Sequence, residues 1–235
     1  MIVRLLQGVL KCDALNVNFV GALEKIDSDC PSFSIKLRGS LAHVAIATPA
    51  LLQRNFSRHA VGELATSQTL QSVANTLKPI ALRNEMLVHA QDELRHSKMF
   101  EALAKGIADR TGEMDRESYD WILENDRRFV ENYNGDVIEF VCNVFAAEVR
   151  TYSFISGYVS ALGEQGSVHG VKTTRVLRRV LVDECRHISY TAAYINRWIE
   201  EGVDLDASLR RSFVAFDRNS WIEVAETARF LHERS

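Results

Sequence analysis

Apolar residues recur at spacings of three and four along most of the chain after Thr48, which is the pattern of amphipathic helices. Thr48 suits a helix N-cap, and Pro49 suits the first helical position that follows it. We expect Gly106 and Gly163 to end the second and third of the long helices. The pattern predicts four long helices, over about 48–77, 79–105, 136–162 and 171–201.

The segment between the second and third long helices has its own signals. Residues 115–133 fit a shorter amphipathic helix that connects the two. Asn134-Gly135 is typical of a turn. Asp136, followed three residues later by Glu139, is typical of a helix N-terminus with a capping box.

The first 46 residues are ambiguous from their pattern. Phe33–Leu37 fits a strand, whereas Leu15–Ile26 fits a short helix. Residues 80–235 contain no proline, which helix interiors exclude because proline lacks the N–H donor. We therefore predict an all-α protein.

We expect residues 1–235 to form a single domain. Its helical core covers about 49–201, with an N-terminal elaboration at 1–47 and a C-terminal helix at about 207–231. A chain of this length is ample for one large core.

Composition and charge narrow the class of protein. A hydrophobic fraction of 46% with 25% charged residues excludes a disordered chain, and a net charge of −3 gives no sign of nucleic-acid binding. The cysteines form no CxxC pair, which is typical of reduced thiols in the cytoplasm; they are Cys12, Cys30, Cys142 and Cys185. The N-terminus has no signal-peptide pattern, and no apolar run is long enough for a membrane span. We expect a cytoplasmic protein that contacts neither nucleic acid nor a membrane.

Two five-residue segments of the sequence contain candidate metal ligands. Residues 92–96 and 183–187 both read D-E-x-R-H, and both fall within predicted long helices. Residues three apart share one face of a helix, so Glu93 with His96, and Glu184 with His187, can each offer a carboxylate and an imidazole to one point. The alternative is a solvated charged face, but apolar residues flank both motifs. The sequence therefore favours a metal site.

A metal site built on two E-x-x-H helices calls for one more carboxylate from each of two other helices. Such a residue should lie one helical hairpin upstream, about 30–40 residues before each motif. Counting back from the motifs reaches Glu63 and Glu148. Glu148 lies in an otherwise apolar helix, where a lone buried carboxylate would be costly. The predicted ligands are Glu63, Glu93, His96, Glu148, Glu184 and His187.

This order of a helix Glu followed by E-x-x-H, given twice, resembles the ferritin-like di-iron carboxylate superfamily over roughly residues 55–200. The resemblance implies a ferritin-like four-helix bundle, in which each hairpin supplies a Glu and an E-x-x-H. Four carboxylates and two imidazoles suit iron or manganese better than zinc. The implied cofactors are two Fe ions, with Mn or a mixed Fe/Mn pair as alternatives.

The doubled D-E-x-R-H is similar to the O2-activating branch of that superfamily. It implies that Asp92 and Asp183 accept hydrogen bonds from the ligand histidines, and that Arg95 and Arg186 are their ionic partners. The resemblance further implies an O2-dependent oxidoreductase. It would hydroxylate or N-oxygenate a small organic substrate, with O2 as co-substrate and electrons from a ferredoxin- or flavin-type donor. We also expect a homodimer.

Several residues near the predicted ligands leave two interpretations open. His89 lies one helical turn before Glu93 and is either a further ligand, similar to the extra histidine of arylamine N-oxygenases, or a core histidine with its own hydrogen bonds. His59 lies one helical turn before Glu63 and has the same two interpretations, a further ligand or a core histidine. Tyr152 and Tyr190 either line a substrate pocket as catalytic residues or pack in the core with a satisfied hydroxyl.

Other functions fit the same six ligands. A desaturase or an aldehyde-deformylating enzyme would use the same metal pair. A ferritin- or bacterioferritin-like storage protein would bind iron without oxidising an organic substrate, and a metal with a purely structural role is a third possibility.

Overall fold

The computed structural model describes residues 2–10, 15–33, 35–111, 135–165 and 168–234, and these residues form helices and no strand. A short 3₁₀ helix covers Pro31–Phe33. The α-helices are α1 (Ile2–Leu10), α2 (Val17–Asp29), α3 (Ile35–Ala47), α4 (Pro49–Ala74), α5 (Ile80–Thr111), α6 (Val137–Gln165), α7 (Val168–Glu200) and α8 (Asp206–His232). The all-α prediction is confirmed.

The predicted starts of α4 and α6 agree with the structure, whereas two predicted ends do not. Pro49 starts α4, and Asp136 caps α6 by accepting hydrogen bonds from the N–H groups of Ile138 and Glu139, both at 3.0 Å. The predictions that Gly106 and Gly163 end the second and third long helices are wrong, because α5 continues through Gly106 to Thr111 and α6 continues through Gly163 to Gln165. The predicted connecting helix at 115–133 lies outside the described residues.

The strand expected at Phe33–Leu37 is also wrong. Phe33 belongs to the 3₁₀ helix, and Ile35 begins α3. Ala42 and Ala45 of α3 are buried, so this segment buries one helical face where its first residues suggested an alternating strand. The short helix predicted at 15–26 is confirmed as α2.

The chain divides into two compact units, which are Val44–Gly135 and Met1–His43 with Asp136–Ser235. We call them the α4–α5 unit and the α6–α7 unit after their longest helices. The single domain expected from the sequence stays a prediction. Among the described residues, no helix combines the length and apolar character that a membrane crossing needs.

The α4–α5 unit is built on one helical hairpin. The connection between α4 and α5 is short, and the two helices pack along each other. Phe56 and Phe100 meet in its core with ring centroids 6.0 Å apart. Leu70 and Met86 are also fully buried there. One face of each helix therefore lies against the other.

The α6–α7 unit pairs its two long helices and covers them with shorter ones. α8 packs on α6, and α1 and α2 pack on α7. Phe145 of α6 lies at the centre, 6.0 Å from the ring of Phe19 and 5.7 Å from that of Phe213. α3 passes close to α6 at Gly157, where a Cβ would lie 2.9 Å from the backbone of Arg38. The absence of a side chain at Gly157 permits this approach.

Candidate metal centre

Both hairpins present the same arrangement of acidic and histidine side chains. The first helix of each contributes one glutamate, Glu63 in α4 and Glu148 in α6. The second helix contributes the E-x-x-H residues. All six predicted ligands are buried, with exposed fractions from 0% to 7%; they are Glu63, Glu93, His96, Glu148, Glu184 and His187.

In the α4–α5 unit, the three predicted ligands converge. Candidate ligand atoms of Glu63, Glu93 and His96 lie within 4.8 Å of one another. Nδ1 of His96 is 3.7 Å from Oε2 of Glu93. The separation of three along α5 has therefore placed both groups on the same side of the helix, facing the glutamate of α4. We call these three residues the α4–α5 half-site.

His89 adds an imidazole to this half-site. It is 1% exposed, and its Nε2 lies 3.0 Å from Oε1 of Glu93. A nitrogen at that distance either donates a hydrogen bond to the carboxylate or shares a cation with it. The structure thus brings His89 to the site, and its role as a ligand stays a prediction.

Two serine hydroxyls fix the register of α4 and α5 around Glu63 and Glu93. Ser67 donates to the carbonyl of Ala90, and Ser97 donates to the carbonyl of Ala60, both at 2.6 Å. Each serine lies four residues after one glutamate, and each carbonyl lies three residues before the other. The two hydrogen bonds are therefore reciprocal and bracket the glutamates from both sides.

The α6–α7 unit holds the matching half-site, which consists of Glu148, Glu184 and His187. Nδ1 of His187 lies 3.6 Å from Oε2 of Glu148 and 3.8 Å from Oε2 of Glu184. The same imidazole nitrogen faces the carboxylates in both half-sites. Nδ1 is therefore the nitrogen placed toward the carboxylates in each half-site, and its role as a metal-binding atom stays a prediction.

The donor chemistry of the half-sites fits a divalent cation. A buried carboxylate is costly to desolvate unless a positive charge or hydrogen bonds compensate it, and each half-site buries two carboxylates beside one imidazole. Carboxylate oxygens with imidazole suit iron and manganese, whereas structural zinc sites are richer in cysteine and histidine. Among the described residues, Cys30, Cys142 and Cys185 are free thiols and none belongs to a half-site.

The predicted partners of the ligands are seen in part. Arg95 and Asp92 form an ion pair with Nη2 2.5 Å from Oδ1, and Asp92 is 5% exposed. Arg186 places Nη2 3.4 Å from Nε2 of His187, on the side of the imidazole away from the carboxylates. The hydrogen bonds from the ligand histidines to Asp92 and Asp183 stay predictions.

The two tyrosines are placed close to the motifs. Tyr152 is half-buried one turn after Glu148, and burial raises the pKa of its hydroxyl. Tyr190 is buried, with 9% of its surface exposed, three residues after His187. Their role in a substrate pocket stays a prediction. His59 stacks on Phe100 with ring centroids 4.9 Å apart, which favours a packing role for it.

The hydrogen-bonded serine pair has only a weak signal in the sequence, and the buried Arg38 has none. Ser67 and Ser97 follow their glutamates at the same spacing, which is the signal that could have paired them. Arg38 was not anticipated: it is 2% exposed and donates to Ser220 Oγ at 2.6 Å. Burial, and after it the neighbouring charge of Arg150, lower the pKa of its guanidinium to about 10.

Comparisons of the chain with models of protein families, with curated proteins and with solved structures find no match. The assignment of a function therefore depends on the residues of the half-sites themselves.

Proposed function

We propose that the two half-sites act together in a ferritin-like bundle and hold two iron ions, and that the protein is an O2-dependent oxidoreductase of a small organic substrate. The observation that carries this proposal is the repetition of one buried donor set. A glutamate from one helix and an E-x-x-H from the next occur in both hairpins, with the same imidazole nitrogen facing the carboxylates. A single buried E-x-x-H would not distinguish a metal ligand set from a satisfied core.

The reaction we propose is hydroxylation or N-oxygenation. One atom of O2 enters the new C–OH or N–O bond, and the other leaves as water after taking up two electrons and two protons from outside. When bound, the iron pair supplies the electron transfer to O2 that organic side chains cannot perform. The electrons come from a ferredoxin- or flavin-type donor.

The residues of the chain supply position, charge and exclusion of water. The four carboxylates would neutralise the charge of two divalent ions held at the half-sites. The reciprocal bonds of Ser67 and Ser97 hold α4 and α5 in register, so the α4–α5 half-site needs little rearrangement. Burial of the ligands keeps bulk water away and so limits the loss of oxidising equivalents.

The ion pair of Asp92 with Arg95 fixes the charge next to Glu93. The carboxylate of Asp92 is buried, and the arginine compensates it at the surface end of the same helix turn. This arrangement leaves Asp92 as the candidate acceptor for the N–H of His96, as the doubled motif implies.

An iron titration under anaerobic conditions tests the proposal. We expect about two Fe(II) ions per chain, and consumption of O2 when a chemical reductant is then added. Glu148→Ala and Glu184→Ala should lose metal, whereas Glu101→Ala, which changes an exposed glutamate of α5, should retain it. Full metal content in the first two variants would refute the assignment of the ligands. Uptake of many iron ions per chain with no oxidation of organic compounds would indicate storage.

A further inference from the structure

The outward face of α7 is basic over the turns that precede its metal motif. The positively charged residues lie at positions that share one side of the helix, and all are exposed; they are Lys172, Arg175 and Arg179. Val182 follows them on the same side and is 69% exposed. We call these four residues the basic stripe. At 1.5 Å per residue it is about 15 Å long.

No acidic side chain on this part of α7 balances the stripe at the surface. The acids between 171 and 186 are Asp183, which is half-buried, and Glu184, which is buried. In the described part of the chain, Lys172, Arg175 and Arg179 have no ion-pair partner. Their charges therefore face solvent and any molecule that approaches α7.

The other hairpin shows that the metal motif does not require this charge. When Glu93 is matched to Glu184, the four stripe positions before the motif correspond to exposed uncharged residues on α5, which are Ala81, Asn84, Val88 and Gln91. Two helices with the same inward chemistry thus differ in their outward charge. The difference points to a function of the α7 surface itself.

We propose that the basic stripe is the docking surface for an acidic iron–sulfur protein of the ferredoxin type, which delivers electrons to the metal pair. This inference rests on the proposed function, because only a redox centre within the protein needs such a partner. The stripe and the ligands Glu184 and His187 lie on opposite sides of one helix. A helix with its side chains is about 10–12 Å across, so a donor on the stripe would lie close to the metal ligands.

The small size and the composition of the stripe fit a transient electron-transfer complex. Such complexes use small interfaces, and charge complementarity speeds their association. An exposed valine next to the cations gives an apolar contact beside charged groups, which is a usual combination in a protein interface. A nucleic acid would also be attracted by cations, but it has no need of an apolar contact next to a redox site.

The test uses the iron-loaded full chain and a plant-type [2Fe–2S] ferredoxin as the probe. Binding is measured by isothermal titration calorimetry at low and high salt for the wild type and for the double variant Arg175→Glu/Arg179→Glu. The matched control is Lys98→Glu/Lys105→Glu, which changes the charge of the exposed face of α5 by the same amount. A neutral variant, Arg175→Gln/Arg179→Gln, removes the two positive charges without adding negative ones, so its charge lies between that of the wild type and that of the glutamate variant.

We expect the stripe variant to bind ferredoxin about tenfold more weakly or worse at low salt, and the control to change by less than about twofold. The neutral variant should fall between them, and wild-type binding should weaken as salt rises. Equal losses in the stripe variant and the control would overturn the proposal, as would absence of binding by the wild type. Stripe-dependent binding of a DNA duplex in place of ferredoxin would also overturn it.

Iron content and O2 uptake with a chemical reductant are measured on the same samples. Both should be equal in the wild type and the stripe variant, because neither substituted residue is a ligand. If the wild type takes up no iron, the proposed function fails. If it takes up iron and consumes O2 but ferredoxin binding ignores the stripe, the docking surface alone is refuted.

Discussion

Replacement of Glu184 by glutamine should make the metal-free protein more stable and the metal-bound protein less stable. Glu184 is 0% exposed, and it shares the Nδ1 side of His187 with Glu148. Without a metal ion, two buried carboxylates face one imidazole. Glutamine keeps the size and shape of the side chain and removes one negative charge, so the variant isolates the cost of that charge.

The expected gain in the free energy of unfolding follows from the burial of the Glu184 carboxylate. Replacement of a whole buried ion pair by apolar residues of similar volume is neutral or stabilises a protein by up to about 4 kcal/mol, because the desolvation of the charges is costly. Glu184→Gln removes the second of two carboxylates that share one imidazole and leaves Glu148 beside His187, so it does not leave a cation unpaired. We expect about 1–3 kcal/mol here, since glutamine still has a polar amide to satisfy. In a chain of this size each kcal/mol moves the melting temperature by about 2–4 °C, which gives a rise of roughly 2–12 °C for the metal-free variant.

Addition of metal should reverse the order of stability of the wild type and the Glu184→Gln variant. At a free metal concentration of about a thousand times Kd, binding stabilises the wild type by about 4.1 kcal/mol, which exceeds the gain of about 1–3 kcal/mol expected from removal of the charge, and the variant should lose most of this stabilisation. Thermal unfolding with a chelator and then with Fe(II) or Mn(II) measures both states. Glu101→Gln, at an exposed position of α5, is the control and should stay within about 0.5 kcal/mol of the wild type in both.

Two results would contradict this reasoning. A metal-free Glu184→Gln protein that melts below the wild type would show that the carboxylate has a structural role in the fold. Equal stabilisation of the wild type and the variant by metal would show that Glu184 is not a ligand.

Three further predictions test the framework around the half-sites. Gly157→Ala should destabilise the protein by about 1–3 kcal/mol in urea unfolding, because its Cβ would lie 2.9 Å from the α3 backbone; a loss below about 0.5 kcal/mol would contradict the close packing. Ser67→Ala and Ser97→Ala should each cost about 1 kcal/mol and weaken metal binding, as chemical denaturation and metal titration would show, whereas unchanged values would remove the serines from the site. His43 accepts or donates hydrogen bonds with the Gly39 carbonyl and with Glu164, and these raise its pKa; the contribution to stability is present below the unfolded value of 6.5 and is lost as pH rises through the folded value. Glu164→Gln should therefore lower the pKa of His43 in an NMR titration, and an unchanged pKa would refute the pairing.

The helices after Thr48 were predictable because each buries one face at regular spacing. Glycine is common at the C-terminal ends of helices, but α5 does not end at Gly106. The apolar pattern continues past it through the buried Ala104 and Ile107, and their burial outweighs the cost of about 1 kcal/mol for a glycine inside a helix. A short stretch that alternates like a strand, as at 33–37, cannot be distinguished from the start of a helix by its own residues.

The ligand candidates were predictable because a metal site needs particular residue types at helical spacing. Arg38 was not predictable, because its partner Ser220 lies 182 residues further along the chain and nothing in the residues around Arg38 marks it as buried. Its environment is produced by α3, α6 and α8 together. Buried groups of this kind depend on tertiary packing that local pattern does not contain.

The two hairpins share their inward donors and differ in the residues next to them, and this difference bears on function. Position 89 holds a histidine on α5, whereas the matching position on α7 is the buried Val180. The serine at 97 corresponds to Ile188, so the reciprocal hydrogen bonds belong to the α4–α5 unit only. In the catalysis proposed here, O2, substrate and electrons would reach the metals by different routes, and unequal half-sites would serve those routes differently. We therefore propose that the polar, tightly held half-site of α4 and α5 and the outwardly basic helix α7 have different parts in that reaction.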